Sequence, residues 1–132
     1  MHAVQEMESV TGSMFVISQR EQAGDTTVLS VEGDLDLSSA PRLKWALADS
    51  QSQGPKHLIV DLSGVAFIDS TALGVLVGAQ RAMDEGLHLA IVCAEENVLR
   101  IFELTGLDGM FEILPNIDDA LEFVRGSAAA AD

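Results

Sequence analysis

The chain has 132 residues, with 7 Lys and Arg against 21 Asp and Glu, which gives a formal charge of −14 at pH 7. This length suits one compact domain, and an apolar fraction of 48% supplies a hydrophobic core, so disorder throughout is excluded. A chain this acidic repels phosphate backbones and anionic headgroups, and we therefore expect neither nucleic acid nor a membrane as a direct partner.

The two ends of the chain differ in composition from its middle. Residues 1–13 are polar and aperiodic, and residues 126–132 are mostly small. We therefore predict a flexible N-terminal extension over 1–13, a domain over 14–125 and a flexible C-terminal tail over 126–132. No basic segment followed by an apolar one begins the chain, and no apolar run reaches the roughly 18 residues of a membrane span, which predicts a cytoplasmic protein.

The first half of the domain predicts a hairpin, a helix and a buried strand. Gly24 and Asp25 separate two β-branched runs, as in a hairpin turn. A Ser cap before Pro41 is typical of a helix start. Gly54 ends that region, and a short apolar run then predicts a strand buried on both faces. The three predicted strands cover 15–18, 27–31 and 57–62.

The second half alternates helices and strands. A long apolar stretch that stops before Gly86 predicts a largely buried helix. The predicted helices cover 72–83, 98–104 and 117–124, and the predicted strands cover 87–92 and 111–114. The order β-β-α-β-α-β-α-β-α predicts an α/β fold, with a mixed, mainly parallel sheet of about five strands flanked by about four helices.

An Asp-Ser-Thr triplet, Asp69 to Thr71, lies where an apolar run ends and the long helix begins. The Ser70 hydroxyl is therefore predicted at a helix N-terminus, where a phosphate would be electrostatically tolerated. One interpretation is a phosphoacceptor serine. The other is a plain N-cap, which would only stabilise the helix, by ~1 kcal/mol.

Three carboxylates at predicted strand ends allow an enzymatic alternative. Asp34, Asp36 and Asp61 could bind magnesium and support aspartyl phosphorylation. Asp is equally common wherever a strand turns into a loop. Such an enzyme needs cations for the transferred phosphate, but no Lys follows the last predicted strand, so we predict a protein that is not an enzyme.

The remaining chemically notable residues favour structural roles. His57 and His88 lie at strand starts and His2 lies far from both in the sequence, so we predict no metal site. Gly74 and Gly78 are assigned to close packing of their helix against the sheet. Two further residues have predicted environments: Cys93, in an apolar run, is expected to be a buried structural thiol, and Trp45 is expected to be partly exposed on a contact surface.

Three blocks of sequence together resemble the STAS family of anti-sigma factor antagonists. The first is Gly33-Asp34-Leu35-Asp36 followed by Ala40-Pro41-Arg42-Leu43, the second is Val60 to Gly78 with Asp69-Ser70-Thr71 at its centre, and the third is Val98 to Leu107 with Phe111. They stand in the family's order and spacing, and the similarity covers about residues 15–124. Ala72 departs from the family pattern, in which many members have Gly.

The resemblance implies a partner switch. The unphosphorylated protein would bind an anti-sigma factor that is also a serine kinase and would thereby release a sigma factor. Phosphorylation of Ser70 would end that binding, and a phosphoserine phosphatase would reset it. ATP and magnesium would lie on the kinase, so the resemblance implies no cofactor for this chain.

The same resemblance names the residues of the switch. It assigns engagement of the anti-sigma factor to Asp36 and support of phosphorylation or binding at Ser70 to Asp69. The candidate partner-binding residues are Asp34, Asp36, Asp69, Ser70 and Thr71. Thr71 is turned away from Ser70 by about 100° on a helix. An alternative function within the same fold is a scaffold or accessory module in a stress-sensing or transport assembly, without a phosphoswitch.

Overall fold

The computed structural model describes residues 15–54 and 56–130, with side chains through residue 126. The extension predicted over 1–13 lies outside the described residues. The elements are β1 (Val16–Gln22), β2 (Thr26–Glu32), α1 (Ala40–Gln51), β3 (His57–Gly64), α2 (Ser70–Arg81), β4 (Leu89–Val92), α3 (Glu96–Leu104), a 3₁₀ turn (Leu107–Gly109), β5 (Glu112–Leu114) and α4 (Ile117–Ala130). This order confirms the predicted succession of strands and helices.

The five strands form one sheet in chain order. β1 and β2 are antiparallel, joined by a tight turn in which Ala23 and Gly24 both have positive φ. The pairs β2–β3, β3–β4 and β4–β5 are parallel, because a helix lies between the two strands of each pair. The α/β fold with a mixed, mainly parallel sheet is confirmed.

Side chains of the central strands alternate between two cores, as the two-residue period of a strand requires. The larger core lies on one face of the sheet, where α1, α2 and α3 cover Leu29, Val60 and Ile91. The smaller core lies on the opposite face, where α4 covers Ile59 and Ala90. The three middle strands are therefore buried on both faces, and their carboxyl ends share one edge of the molecule.

Helix α2 is amphipathic, so the prediction of a largely buried helix is wrong. Its buried residues are Ala72, Leu73, Leu76 and Ala79, which follow the three-to-four-residue spacing of one helical face. Gly74 and Gly78 are exposed, and a Cβ added at either would meet no atom of residues 15–54 or 56–130 within 4 Å. Their predicted role in close packing against the sheet is wrong, because they lie on the face of α2 that is turned away from it.

Helix α4 runs to Ala130, beyond the predicted end at residue 124. Most of the stretch 126–132 expected as a loose tail is therefore helical. Alanine has the highest helix propensity, so a run of it carries the helix past Gly126, whose cost relative to Ala is about 1 kcal/mol.

Two predictions of side-chain environment are confirmed. Cys93 is buried, and this burial raises the pKa of its thiol. Trp45 is 70% exposed on α1.

Candidate functional site

The loops after β2 and β3 are held together by main-chain hydrogen bonds. The Leu35 N–H donates to the Phe67 carbonyl at 2.9 Å, and the Asp69 N–H donates to the Leu35 carbonyl at 3.0 Å. Leu35 and Ile68 form an isolated parallel bridge, and both side chains are buried beneath it. Parallel pairing therefore continues past the ends of the two strands and brings the acidic loop around Asp36 beside the start of α2.

Asp69 is the residue that caps α2. It has an extended backbone, and its carboxylate accepts a hydrogen bond from the Ala72 N–H at 3.1 Å. Ser70 is the first residue of the helix, and its side chain is exposed and forms no hydrogen bond within the described residues. The interpretation of Ser70 as the N-cap is therefore wrong, because the neighbouring carboxylate already holds that position.

The position of Ser70 favours a negative group on its hydroxyl. The first turn of a helix presents free N–H groups and the positive end of the helix dipole. The first turn of α2 contains no acidic residue, the adjacent carboxylate is that of the cap Asp69, and the basic residue Arg81 lies in the last turn. A phosphoryl group at Ser70 would therefore meet backbone donors of its own helix.

Asp36 organises the loop that faces this helix start. Its carboxylate accepts hydrogen bonds from the Ser38 hydroxyl at 2.8 Å, the Ser38 N–H at 3.0 Å and the Ser39 N–H at 3.2 Å. The Ser38 hydroxyl, together with the backbone N–H groups of the loop, lowers the pKa of the Asp36 carboxyl below its ordinary value. Asp36 is therefore ionised at neutral pH and is held in one orientation.

Ser39 occupies the N-cap position of α1 but does not cap it with its side chain as predicted. Its buried hydroxyl instead donates to the Asp34 carbonyl at 2.7 Å and accepts from the Asp36 N–H at 3.0 Å. Both hydrogen bonds of the hydroxyl are therefore made to the preceding loop, and they fix the backbone at Asp34, whose side chain is exposed.

Asp61, the third carboxylate of the enzymatic alternative, is engaged in a local turn. It accepts hydrogen bonds from the Ser63 N–H at 3.0 Å and the Ser63 hydroxyl at 2.6 Å. Throughout residues 15–54 and 56–130, no group of three or more His, Cys, Asp or Glu side chains is arranged to hold a metal ion.

Two exposed apolar side chains flank the site and were not singled out from the sequence. Leu37 follows Asp36 and is 72% exposed, and Phe67 stands two residues before Asp69 and is 50% exposed. Each is a large apolar residue within two positions of a candidate acidic residue, and this sequence pattern could have identified both as candidates for partner binding. Large apolar side chains exposed together beside polar groups are typical of protein interfaces.

Thr71 is exposed like Ser70 but faces another part of the surface. It lines a groove between α1 and α2, whereas Ser70 does not line it. This agrees with the rotation of about 100° between successive helical residues. The joined loops are thus bordered by Ser70, Asp69 and Asp36. Thr71 lies where this surface meets the groove.

The helices described in the structure include none that is both long enough and apolar enough to cross a membrane.

Comparison with known proteins gives a consistent result. A family profile described as "STAS domain" matches residues 18–120. The chain is 32% identical over 99 residues to the anti-sigma-F factor antagonist RsfB of Mycobacterium tuberculosis, covering 75% of this chain and 81% of RsfB. It is 35% identical over 98 residues to the anti-sigma-B factor antagonist of Listeria monocytogenes, covering 74% and 86%.

Solved structures share the fold. The crystal structure of an anti-sigma factor antagonist from Mycobacterium paratuberculosis superposes with a TM-score of 0.81 at 31% identity, covering 85% of this chain and 95% of the other.

Proposed function

The chain belongs to the STAS domain family, and from that premise we propose that it is an anti-sigma factor antagonist switched by phosphorylation of Ser70. Unphosphorylated, it binds an anti-sigma factor that is also a serine kinase, and the sigma factor held by that kinase is released. ATP and magnesium lie on the kinase, and a phosphoserine phosphatase resets the switch. The observation that carries the proposal is the exposed Ser70 hydroxyl, which forms no hydrogen bond with any described residue and lies near the ionised Asp36 and exposed apolar side chains.

The surface around Ser70 has the properties of a docking site. Leu37 and Phe67 supply apolar area, and the oriented Asp36 carboxylate supplies a charge that a basic side chain of the partner can pair with. Both relatives described above are named as antagonists of anti-sigma factors. These features support an anti-sigma factor as the partner.

Phosphorylation of Ser70 would act on the interface and leave the fold unchanged. A phosphoryl group adds about −1.5 to −2 charge, which the start of α2 tolerates internally. Towards a partner, that charge adds to the ionised Asp36 and prevents close approach of the apolar side chains. A loss of ~3 kcal/mol in binding energy corresponds to a more than hundredfold weaker complex.

The first experiment is a phosphorylation map. The protein is purified from its host with phosphatases inhibited and analysed by intact and peptide mass spectrometry, beside a Ser70→Ala variant. We expect a single phosphoryl group on Ser70 that the variant lacks. The absence of phosphate under every growth and stress condition would refute the switch and favour the scaffold function.

The second experiment measures binding. Ser70→Asp should lose at least 100-fold in affinity for the anti-sigma factor captured with Ser70→Ala as bait, with an unchanged circular dichroism spectrum. Ser18→Asp, which adds the same charge on the exposed edge strand β1, serves as the matched control and should bind like the wild type. Tight binding by Ser70→Asp would refute the electrostatic account.

A further inference from the structure

A groove of about 440 Å³ runs between α1 and α2, on the outer side of the helix layer. We call it the α1–α2 groove. It is preformed, because the Gln51 side-chain amide of α1 donates to the Ala79 carbonyl of α2 at 3.0 Å and ties the two helices together at one end. It is lined mainly by small and apolar residues: Lys44, Leu47, Ala48, Gln51, Thr71, Gly74, Val75, Gly78 and Ala79.

The two glycines of the groove are not required by the fold. Gly74 and Gly78 lie inside a helix, neither has a left-handed backbone, and a Cβ at either position would meet no atom of the described residues within 4 Å. Glycine inside a helix is less stable than alanine, so both positions weaken α2 without any gain in packing against the part of the chain that the structure describes. What they provide is an open strip of helix backbone that a second helix can approach closely.

The α1–α2 groove is continuous with the surface proposed to bind the anti-sigma factor. Thr71, at one end of the groove, follows Ser70 directly. A partner resting on Leu37 and Phe67 therefore reaches the groove without leaving the surface of the protein.

The charge of the groove indicates the chemistry of its occupant. Among the described residues that line it, Lys44 is the only charged one, on a chain whose net charge is −14. Its side chain is exposed and makes no ion pair with any residue in the described ranges. An acidic side chain on an otherwise apolar surface complements this arrangement.

We propose that the α1–α2 groove seats an amphipathic helix of the anti-sigma factor, with its apolar stripe against Gly74 and Gly78 and a carboxylate against Lys44. This inference rests on the proposed function, since it adds a second contact to the same partner. The groove contact continues along α2 from the turn that carries Ser70, because Gly74 and Gly78 lie one and two turns further along the helix.

The test fills the groove without disturbing the fold. Gly78→Leu places a side chain in open space and removes a helix-weakening residue, so the free protein should be at least as stable as the wild type. Binding of the purified host anti-sigma factor, measured by calorimetry, should weaken at least 30-fold. Gly126→Leu makes the same change in open space on α4, across the sheet, and should bind like the wild type. Lys44→Glu should weaken binding at least 10-fold.

The outcomes separate this inference from the proposed function. Equal binding by wild type and Gly78→Leu, with Ser70→Asp still defective, would refute the groove contact alone. Failure of every host anti-sigma factor to bind the wild type would refute both. A fall in thermal stability of free Gly78→Leu would identify a segment of this chain as the occupant, and loss of a dimer in sedimentation would identify a second copy; either result would overturn the proposal.

Discussion

At the scale of single residues, the start of α2 divides two tasks between neighbours. The Asp69 carboxylate caps the helix through the Ala72 N–H, and the Ser70 hydroxyl has no structural bond within the described residues. A serine that caps its own helix would have to give up a hydrogen bond on phosphorylation. Ser70 does not, so a modification there changes the surface at little cost to the helix.

This division of tasks predicts unequal effects of two alanine substitutions. Asp69→Ala should lower the free energy of unfolding by about 1 kcal/mol, the usual value of an N-cap. Ser70→Ala should change it by less than about 0.5 kcal/mol, as for an exposed residue without partners. Urea unfolding of both variants beside the wild type checks this, and an equal loss from the two substitutions would contradict the assignment of the cap.

At the scale of elements, the amino ends of β3 and β4 are joined by two stacked histidines. The centroids of the His57 and His88 rings lie 5.5 Å apart, and the ring planes differ by 7°. The backbone N–H of His88 donates a hydrogen bond to Nδ1 of the His57 ring at 3.1 Å. His88 also contacts the Phe123 ring of α4 edge-on. This edge of the sheet is opposite to the edge that carries Ser70, and the Nδ1 atom of His57 can accept this hydrogen bond from His88 only while the ring is neutral.

The stack predicts a loss of stability in mild acid. Burial lowers the pKa of His57 below its ordinary value of 6.5, the nearby His88 lowers it further, and Asp25 raises it in part. The unfolded chain therefore binds a proton at a higher pH than the folded protein does, and stability falls as the pH falls through about 6.5 towards the lower folded pKa. The free energy of urea unfolding should thus be smaller at pH 5.5 than at pH 7.5.

His57→Asn is the control for this prediction. Its amide oxygen can replace the Nδ1 acceptor but does not titrate, so the variant should lose less stability than the wild type between pH 7.5 and 5.5. Identical pH profiles for the two proteins would show that other groups cause the acid loss.

At the scale of the whole molecule, the fold places its candidate partner surface at one edge of the sheet, on a chain whose net charge is −14. The joined loops and the start of α2 follow the carboxyl ends of β2 and β3, the edge at which α/β sheets commonly bind ligands. The chain has 21 acidic residues, but the described residues contain one ion pair, between Lys56 and Glu21. Most acidic side chains of the described ranges therefore form no ion pair within them, and their mutual repulsion opposes the compact state.

Self-repulsion predicts that salt stabilises the protein. Raising sodium chloride from 0.05 M to 0.5 M shortens the screening length several-fold and should raise the melting temperature by about 4 °C, or about 1 kcal/mol for a domain of this size. Scanning calorimetry checks this. Asp84→Asn combined with Glu85→Gln, two exposed residues between α2 and β4, reduces the acidic residues from 21 to 19 and should show a smaller rise. A melting temperature independent of salt in the wild type would contradict the repulsion.

The sequence by itself determined the features that depend on local patterns. The order of strands and helices, the position of Ser70 at a helix N-terminus and the burial of Cys93 follow from periodicity, capping residues and apolar runs within a few positions of each residue. The three sequence blocks also indicated the family that the comparisons show.

Only the tertiary structure decided which distant residues meet and which faces remain open. The Leu35 bonds to Phe67 and Asp69 join positions more than 30 residues apart, and the stacked histidines are 31 residues apart. Gly74 and Gly78 have the spacing of a packed helix face, yet they face open space. A local pattern shows that the residues of one face are small or apolar. Which element covers that face depends on long-range packing, and a short stretch of sequence does not determine it.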